Sequence, residues 1–541
     1  MIAFALVNGP LPKVGVIVAA ALVALAVLTG GQRVRAGAML GLLVLAPLLL
    51  LSDIWSSPQL RAVHHHPLGA GVVVAAGLAL VVVMAVVLRG RPWLLAPLVV
   101  ATLPFRIPIS AGGTTSNLLV PLYVVLAAGT LAYAVPALGL RLGRFGGAAA
   151  GSPDGGLPAE ADAGSAAGAS DGRERPRRLP ASAARLVEWL LVAYIVLYAL
   201  QSAYSLDFQR ALQQVVFFYV PFALGFCLLR RLEWNSRLIR TCLLLAVGLA
   251  IVFSLVGVAE YAIKTLFLNP KLIATNQDHA YFAVNSVFFD SNIFGRFLSL
   301  VMVLLAVTML HERPLREQVA AAIALAILWV GLVLTLSRSS LGALLAGLAV
   351  LAALRWKVSR AVVIAAGVVA VGAAAVAISP HTFGLEQGFN GVFSGRGSLV
   401  SGGWHMFGQR PVWGYGSGSF RVEYLRQNPN SPGGVGDSHT LPVTIAAEQG
   451  ALGELLYVGL LAAALVMLLS SARRDPARAA VGAAFVALIV HTVAYDDFLS
   501  DPITWTLLGV GVALARDRRR VPETQPALVV RQEAVPAYGS G

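Results

Sequence analysis

Charge is what this chain has least of. Asp, Glu, Lys and Arg make up 12% of its 541 residues, about half the ~25% of an ordinary soluble domain. That scarcity excludes a solvated globule. Cysteine is nearly missing too: Cys227 and Cys242 stand alone inside or beside apolar runs, with no C-x-x-C spacing. A disulfide framework and a zinc module are therefore excluded, and both thiols read as core filler. Acidic residues are the scarcer charge, 26 against 40 basic, which leaves a net +14. The first apolar run lacks a basic leader and a clear small-residue cleavage site, so no cleavable signal peptide is expected. No internal repeat interrupts the alternation of apolar runs and loops.

What is there instead is hydrocarbon. The chain is 57% hydrophobic and has a mean hydropathy of +0.77. Apolar runs of roughly 17–25 residues recur, each long enough to cross a ~30 Å hydrocarbon core. Runs so uniformly apolar satisfy their backbone as helices and not as barrel strands. About fourteen or fifteen are legible, at 14–29, 36–51, 68–88, 92–104, 117–138, 185–204, 212–229, 238–263, 292–310, 318–336, 339–354, 360–378, 441–470, 477–495 and 502–515. Those at 92–104 and 502–515 are short enough to be re-entrant or interfacial. The expected fold is an all-α polytopic membrane protein of about 12–15 transmembrane helices.

The excess of basic residues tempts one towards nucleic acid, but their distribution excludes it. Clusters such as QRVR (32–35), RGR (89–91), RERPRR (173–178), RWKVSR (355–360), ARRDPAR (472–478) and RDRRR (516–520) occupy alternate loops. Those loops hold about 28 of the 40 Lys and Arg. This is the positive-inside signature of a multi-pass protein of the cytoplasmic membrane. It makes the basic loops cytoplasmic and places the N-terminus outside.

Six segments follow: N-terminal transmembrane helices (1–140), a linker (141–183), central helices (184–378), an outer loop (379–438), C-terminal helices (439–516) and a tail (517–541). The linker, rich in Ala, Gly, Ser and Pro, is expected to be disordered, as is the tail. The basic end of the linker suits anionic headgroups. The outer loop differs in kind. Its aromatics, among them Trp404 and Tyr415, argue for order. Arg396, Arg410, Arg421 and Arg426 lie on the side that should be poor in arginine. An anionic partner outside the membrane would explain them.

Three stretches carry chemistry-bearing residues at the mouths of apolar runs on that same side. In GDSHTLPVTIAAEQG (436–450), Leu441-Pro442 starts a helix and leaves His439 just outside it. A histidine there takes and returns a proton near neutral pH, and Asp437 is close enough in sequence to orient it. A capping surface histidine is the alternative. In LTLSRSSLGALLAG (334–347), Arg338 sits between two apolar runs with Ser337, Ser339 and Ser340. Its planar fork suits phosphate oxygens, whereas a snorkelling loop arginine is the plainer reading. In VNSVFFDSNIFGRFLSL (284–300), Asp290, Ser291 or Asn292 caps a helix and Arg296 lies about one turn inside it. An intramembrane arginine points to function, unless it merely pairs with a nearby acid such as Glu260, Glu448 or Glu454. Glu448 itself, nine residues past His439, turns about 180° away on a regular helix and reads as a structural partner. His279, His311, His381, His405 and His491 are weaker candidates, and His64-His65-His66 reads as a loop.

The ordered set VNSVFFDSN, TLSRSS, P-x-x-G-x-G (411–416) and SHTLPVTIAAEQGALG resembles the O-antigen ligase and polymerase superfamily, over roughly residues 280–495. The strongest piece is His439-Thr440 followed by Glu448-Gln449-Gly450 and Gly453. The resemblance implies a membrane-embedded, GT-C-like fold and an inverting, metal-independent glycosyltransferase without a cofactor. Such enzymes move a glycan from a polyprenyl diphosphate, undecaprenyl diphosphate being the usual carrier, to an acceptor hydroxyl on a glycan, lipid or protein outside the cytoplasm. By motif, Arg338 would bind the donor diphosphate, and His439 would serve as base or orient the acceptor. Many relatives carry an arginine where this chain has Ala283, and Arg296 is expected to take over that contact. His-Thr also replaces the commoner His-Asn. A ligase and a polymerase of lipid-linked repeat units share these motifs. A transporter or flippase of lipid-linked sugars is the rival from another class, and would more often show repeats and discontinuous helices at the midplane.

Overall fold

The computed structural model describes residues 9–54, 67–111, 114–140, 175–268, 282–309, 314–355, 397–431, 438, 440–495 and 497–517. Among them, twelve helical segments are long and apolar enough to cross a membrane, so the chain is a polytopic helical membrane protein. Of the other apolar runs, 360–378 lies outside the described residues. The two short runs form the helices Pro92–Thr102 and Pro502–Arg516.

The helices run α1 (Pro10–Leu28), α2 (Gln32–Ile54), α3 (Pro67–Gly90), α4 (Leu95–Thr102), α5 (Val120–Ala137), α6 (Arg175–Ser202), α7 (Phe208–Gln214), α8 (Val220–Leu229), α9 (Ser236–Ile263), α10 (Ser291–Met309), α11 (Leu315–Leu334), α12 (Arg338–Arg355), α13 (Gly397–Gln409), α14 (Phe420–Gln427), α15 (Leu441–Leu469), α16 (Pro476–Ala494) and α17 (Pro502–Arg516). A single π-helical turn, Val215–Tyr219, joins α7 to α8. One β-hairpin departs from the helical rule: Ile107–Ala111 pairs antiparallel with Thr114–Leu118. Its strands flank Gly112-Gly113 in the sequence, a pairing of residues that favours a tight turn.

The expected linker ends sooner than the composition suggested. Residues 141–174 lie outside the described residues, but α6 already begins at Arg175, ahead of the expected boundary at 183. Leu179, Ala181, Ala183 and Ala184 are good helix formers, and Ala184 is fully buried, so packing extends the helix towards the basic run. Likewise the outer loop is ordered over 397–431, where α13 and α14 form, while 379–396 lie outside the described residues.

Burial is uneven, and the unevenness locates the core. The α7–α8 segment is 78% buried over its apolar window, α10 67% and α16 61%, whereas α3 is 11% buried. Val72, Val73 and Leu78 of α3 face outward, as lipid-facing side chains do. Inside, α6 lies along α15, α12 along α16, and α10 packs on α9, α11, α12 and α16. Close approach rests on small residues: a side chain at Gly295 of α10 would come within 2.6 Å of the Ser340 hydroxyl of α12.

At the basic end, charge itself ties helices together. Arg230 pairs with Glu188, donates to the Val27 carbonyl at 2.7 Å and to the Ala26 carbonyl at 3.3 Å. Arg516 closes on the other Glu188 oxygen at 2.6 Å. Four elements, α1, α6, α8 and α17, are thereby cross-linked.

Candidate active site

The opposite end gathers the helix mouths singled out in the sequence. α10 is capped by Asp290, whose Oδ1 accepts from the backbone N–H of Asn292 at 2.6 Å. α12 begins at Arg338 after Leu336, which holds a left-handed φ of 55°. The two starts are stitched by a hydroxyl network: Ser337 donates to Asn292 Oδ1 at 2.8 Å and accepts from the Ser340 hydroxyl at 2.7 Å. Ser337 is buried, so it serves the seam, while Arg338 beside it is exposed. His491 of α16 reaches the same seam, 3.3 Å from the Ser339 hydroxyl.

The glycine-rich stretch and the Glu-x-Gly motif build a joint together. α15 breaks at Gly450, which has φ 67° and ψ −164°, a conformation open to glycine alone without strain. The break releases helix carbonyls, and the loop after α13 takes them up. Tyr415 N–H donates to the Ala447 carbonyl at 3.1 Å, Gly416 N–H to that of Glu448 at 2.8 Å, and Ala451 N–H to that of Pro411 at 2.7 Å. Gly414, at φ 63°, lies so close to the Glu448 backbone that a Cβ would collide with it. Glu448 then reaches across: its carboxylate accepts from Gly418 N–H at 2.8 Å and Phe420 N–H at 3.0 Å. A negative group at the start of α14 is where a helix favours one. Gln449 donates to the Tyr194 hydroxyl at 2.9 Å, binding the joint to α6.

Beside this joint opens a cavity of about 280 Å³. α6 contributes Tyr194 and Tyr198; α7 and the π turn contribute Arg210, Gln213, Gln214, Phe217, Phe218 and Tyr219; α15 contributes Leu441, Thr444, Ile445, Glu448 and Gln449. π turns recur at functional sites because they re-aim side chains out of helical register, and here the turn sets aromatic faces along one wall. Leu441 is two residues from His439, so the cavity meets the first turn of the helix that His439 precedes. Carbohydrate hydroxyls and ring faces are matched by such a mixture of amides, phenols and aromatic surfaces.

The last wall is the loop between α16 and α17, through Asp497, Phe498, Leu499 and Ser500. This strap is held at several points. Phe498 is fully buried between Tyr457 and Phe485, at ring distances of 5.7 and 5.9 Å. Trp505 Nε1–H donates to the Leu499 carbonyl at 2.8 Å, and Gln214 donates to Ser500 Oγ at 2.6 Å. Asp501 caps α17 through Ile503 N–H at 2.8 Å. Behind the strap, Arg296 pairs with Asp501 at 2.6 Å, and the Tyr495 hydroxyl donates to Asp290 Oδ2 at 2.9 Å. Burial pushes the Asp497 carboxyl up to about 6; Arg296 and Arg106 oppose that rise, and Asp501 and Asp290 reinforce it.

The expected residues separate as follows. Arg296 is 1% exposed and bound to Asp501, the pairing with a nearby acid that was the plainer reading, though the acid is none of the three named for it. Glu260 instead accepts from the backbone N–H groups of Phe267, Asn285 and Ser286, and Glu448 from the loop. Arg426 is committed to Glu423 in a two-point pair at 2.8 and 2.7 Å. Arg410 lies 4.5 Å over the Tyr415 ring, with Tyr415 buried beneath it. Trp404 is 53% exposed, edge-on to Phe407, and Arg421 is half-buried on α14. His439, Asp437 and Arg396 lie outside the described residues, flanked in the first case by Ser438 and Thr440. Sequence reasoning missed Arg210, Gln213, Gln214 and Asp497. The polar run FQRALQQ at the head of a greasy helix was the available signal for the first three; nothing announced Asp497.

Residues 323–458 match the family model described as O-antigen ligase. The matched stretch contains Arg338, the glycine loop, His439 and the Glu448–Gly453 motif, and it supports membership of the O-antigen ligase superfamily and a ligase- or polymerase-type role in glycan assembly. No curated protein matches the chain.

Proposed function

We propose that this member of the O-antigen ligase superfamily is an inverting glycosyltransferase of the cytoplasmic membrane. In this reading it moves a glycan from a polyprenyl diphosphate to an acceptor hydroxyl at the extracytoplasmic face. The observation that carries the reading is the cavity at the first turn of α15, lined by amides, phenols and aromatic rings and sited at the end opposite the basic loops. The acceptor hydroxyl attacks the anomeric carbon, and the diphosphate departs from the opposite side. Diphosphate is already a good leaving group, so arginine suffices to neutralise its developing charge, and no metal need take part. Arg338, exposed at its helix mouth, serves that purpose. Its neighbour Ser337 is occupied in the seam. Arg296, also expected on the diphosphate, is better supported as the charge behind the strap, given its pairing with Asp501. His439 engages the acceptor, as base or as the group that orients it.

The test is a transfer assay with purified protein, a lipid-diphosphate-linked glycan and candidate acceptors. Transfer of one finished chain identifies a ligase, and a ladder of repeat units a polymerase. Arg338→Ala and His439→Ala are each expected to reduce turnover by about 10²–10³-fold in protein that still folds. Wild-type turnover in His439→Ala removes the histidine from the chemistry, and loss of activity in EDTA removes the metal-free mechanism. The interrupted helices α7–α8 and α15 are the feature a flippase would share. Movement of the lipid-linked glycan across proteoliposomes without any acceptor would favour that second reading.

A further inference from the structure

We propose that Asp497 is the group that receives the acceptor's proton, which leaves His439 to orient the acceptor. The inference rests on the transferase reading above.

Direct displacement at the anomeric carbon needs a base beside the attacking hydroxyl. Among the described residues, two acids line the cavity, Glu448 and Asp497. Glu448 is spoken for: its two oxygens each accept a backbone N–H of the glycine loop, and protonating it would undo the joint. Asp497 differs in its backbone. It stands at φ 110°, a region that costs a non-glycine residue of order 1–3 kcal/mol unless its surroundings impose it. The surroundings do impose it, through buried Phe498, the Trp505–Leu499 and Gln214–Ser500 hydrogen bonds and the Asp501 cap. A strained acid held on the wall of a polar cavity by a fixed strap is arranged for use and not for stability.

The groups around it set its proton affinity. Arg296 from α10 and Arg106 from the approach to the hairpin favour the charged form. Asp501 and Asp290 disfavour it, and burial, the largest influence, brings the carboxyl to about 6. Arg210 and Glu448 face the same cavity. At neutral pH the carboxylate is ionised yet basic enough to accept a proton, the match a general base needs. In the step, the acceptor oxygen forms its bond to the anomeric carbon. The bond from that carbon to the diphosphate oxygen breaks with its electrons on the leaving group. The acceptor's proton passes to Asp497 and then to solvent.

The experiment is the pH profile of transfer, kcat and kcat/KM from pH 4.5 to 8.5, for wild type, Asp497→Asn, Asp497→Glu and His439→Gln. Asp497→Asn is expected to lose about 10²-fold or more in kcat and to lose the fall in rate on the acid side of pH 6, with donor KM within about threefold. Asp497→Glu regains part of the rate with a shifted acid limb. His439→Gln is slow but keeps the limb. An Asp497→Asn enzyme within threefold of wild type, or slow with an unchanged acid limb, overturns the assignment. A wild-type protein that transfers nothing from any lipid diphosphate fails the parent reading instead, so the two failures are distinguishable. Thermal unfolding of each variant guards against misfolding.

Discussion

Two buried arginines, one at each end of the molecule, show what separates framework from site. Arg230 at the basic end has a carboxylate, two backbone carbonyls and a phenylalanine face around it. Arg296 at the other end is as deeply buried; among the described residues it pairs with Asp501, and its Nε and Nη1 find no hydrogen-bond partner there. Tying a buried guanidinium to several groups at once makes a girder. Leaving it partly satisfied keeps a positive field available to its surroundings, and those surroundings are the cavity strap and Asp497. Burial alone therefore says nothing about role; the number of hydrogen bonds a buried charge completes does.

The largest expected effect is the loss of that girder. Arg230→Met leaves Glu188 buried with one partner fewer, and removing one member of a buried pair costs about 3–5 kcal/mol. Arg296→Met also breaks a buried pair and should fall at the lower end of that range, because Asp501 retains its cap on α17 and fewer hydrogen bonds are lost. Unfolding of both variants in the same detergent measures the difference. Equal losses would break the contrast between the two ends.

A second comparison sits within α15, between the regular helix and its break. Gly450→Ala forces a β-carbon into a left-handed position and against the Val412 carbonyl, a strain of about 1–3 kcal/mol. Gly459 of the same helix has ordinary clearance from Leu190, so Gly459→Ala should be near neutral or slightly stabilising through helix propensity. Unfolding temperatures of the pair check this. If Gly450→Ala is also neutral, the joint is not what fixes the glycine loop.

These contrasts also say what was legible in the sequence. Helix positions were, because spanning a bilayer demands long apolar runs, and the runs at 441–470 and 477–495 agree with α15 and α16 to within a residue or so. The mouth of α12 was legible through Ser337-Arg338-Ser339, where polar residues stand alone in hydrocarbon. Partners were not. Arg296 and Asp501 are 205 positions apart, and no local pattern selects Asp501 over Glu260 or Glu454. The π turn at Val215–Tyr219 is equally silent, since VVFFYV reads as plain apolar helix. The break at Gly450 had a signal, a glycine after Glu-Gln, but one glycine in a helix seldom breaks it, and only the incoming amides of 415 and 416 make the break affordable.

The smallest expected effect concerns stability and pH at the strap. In an unfolded chain Asp497 titrates near its ordinary 3.8, while in the fold it titrates near 6. Well below 3.8, at about pH 3 and under, it is protonated in both states and contributes nothing. Between 4 and 6 the unfolded chain ionises first, so the folded state binds more protons and stability falls as pH rises. Above 6 the full cost is in place, on the order of 1 kcal/mol once screening is allowed for. Asp497→Asn should therefore unfold a few degrees higher than wild type at pH 7.5 and at nearly the same temperature at about pH 3. Together with a loss of turnover, a gain in stability is the mark of a residue kept for chemistry. A variant less stable at pH 7.5 would assign Asp497 to the framework, with Arg230 and Glu188.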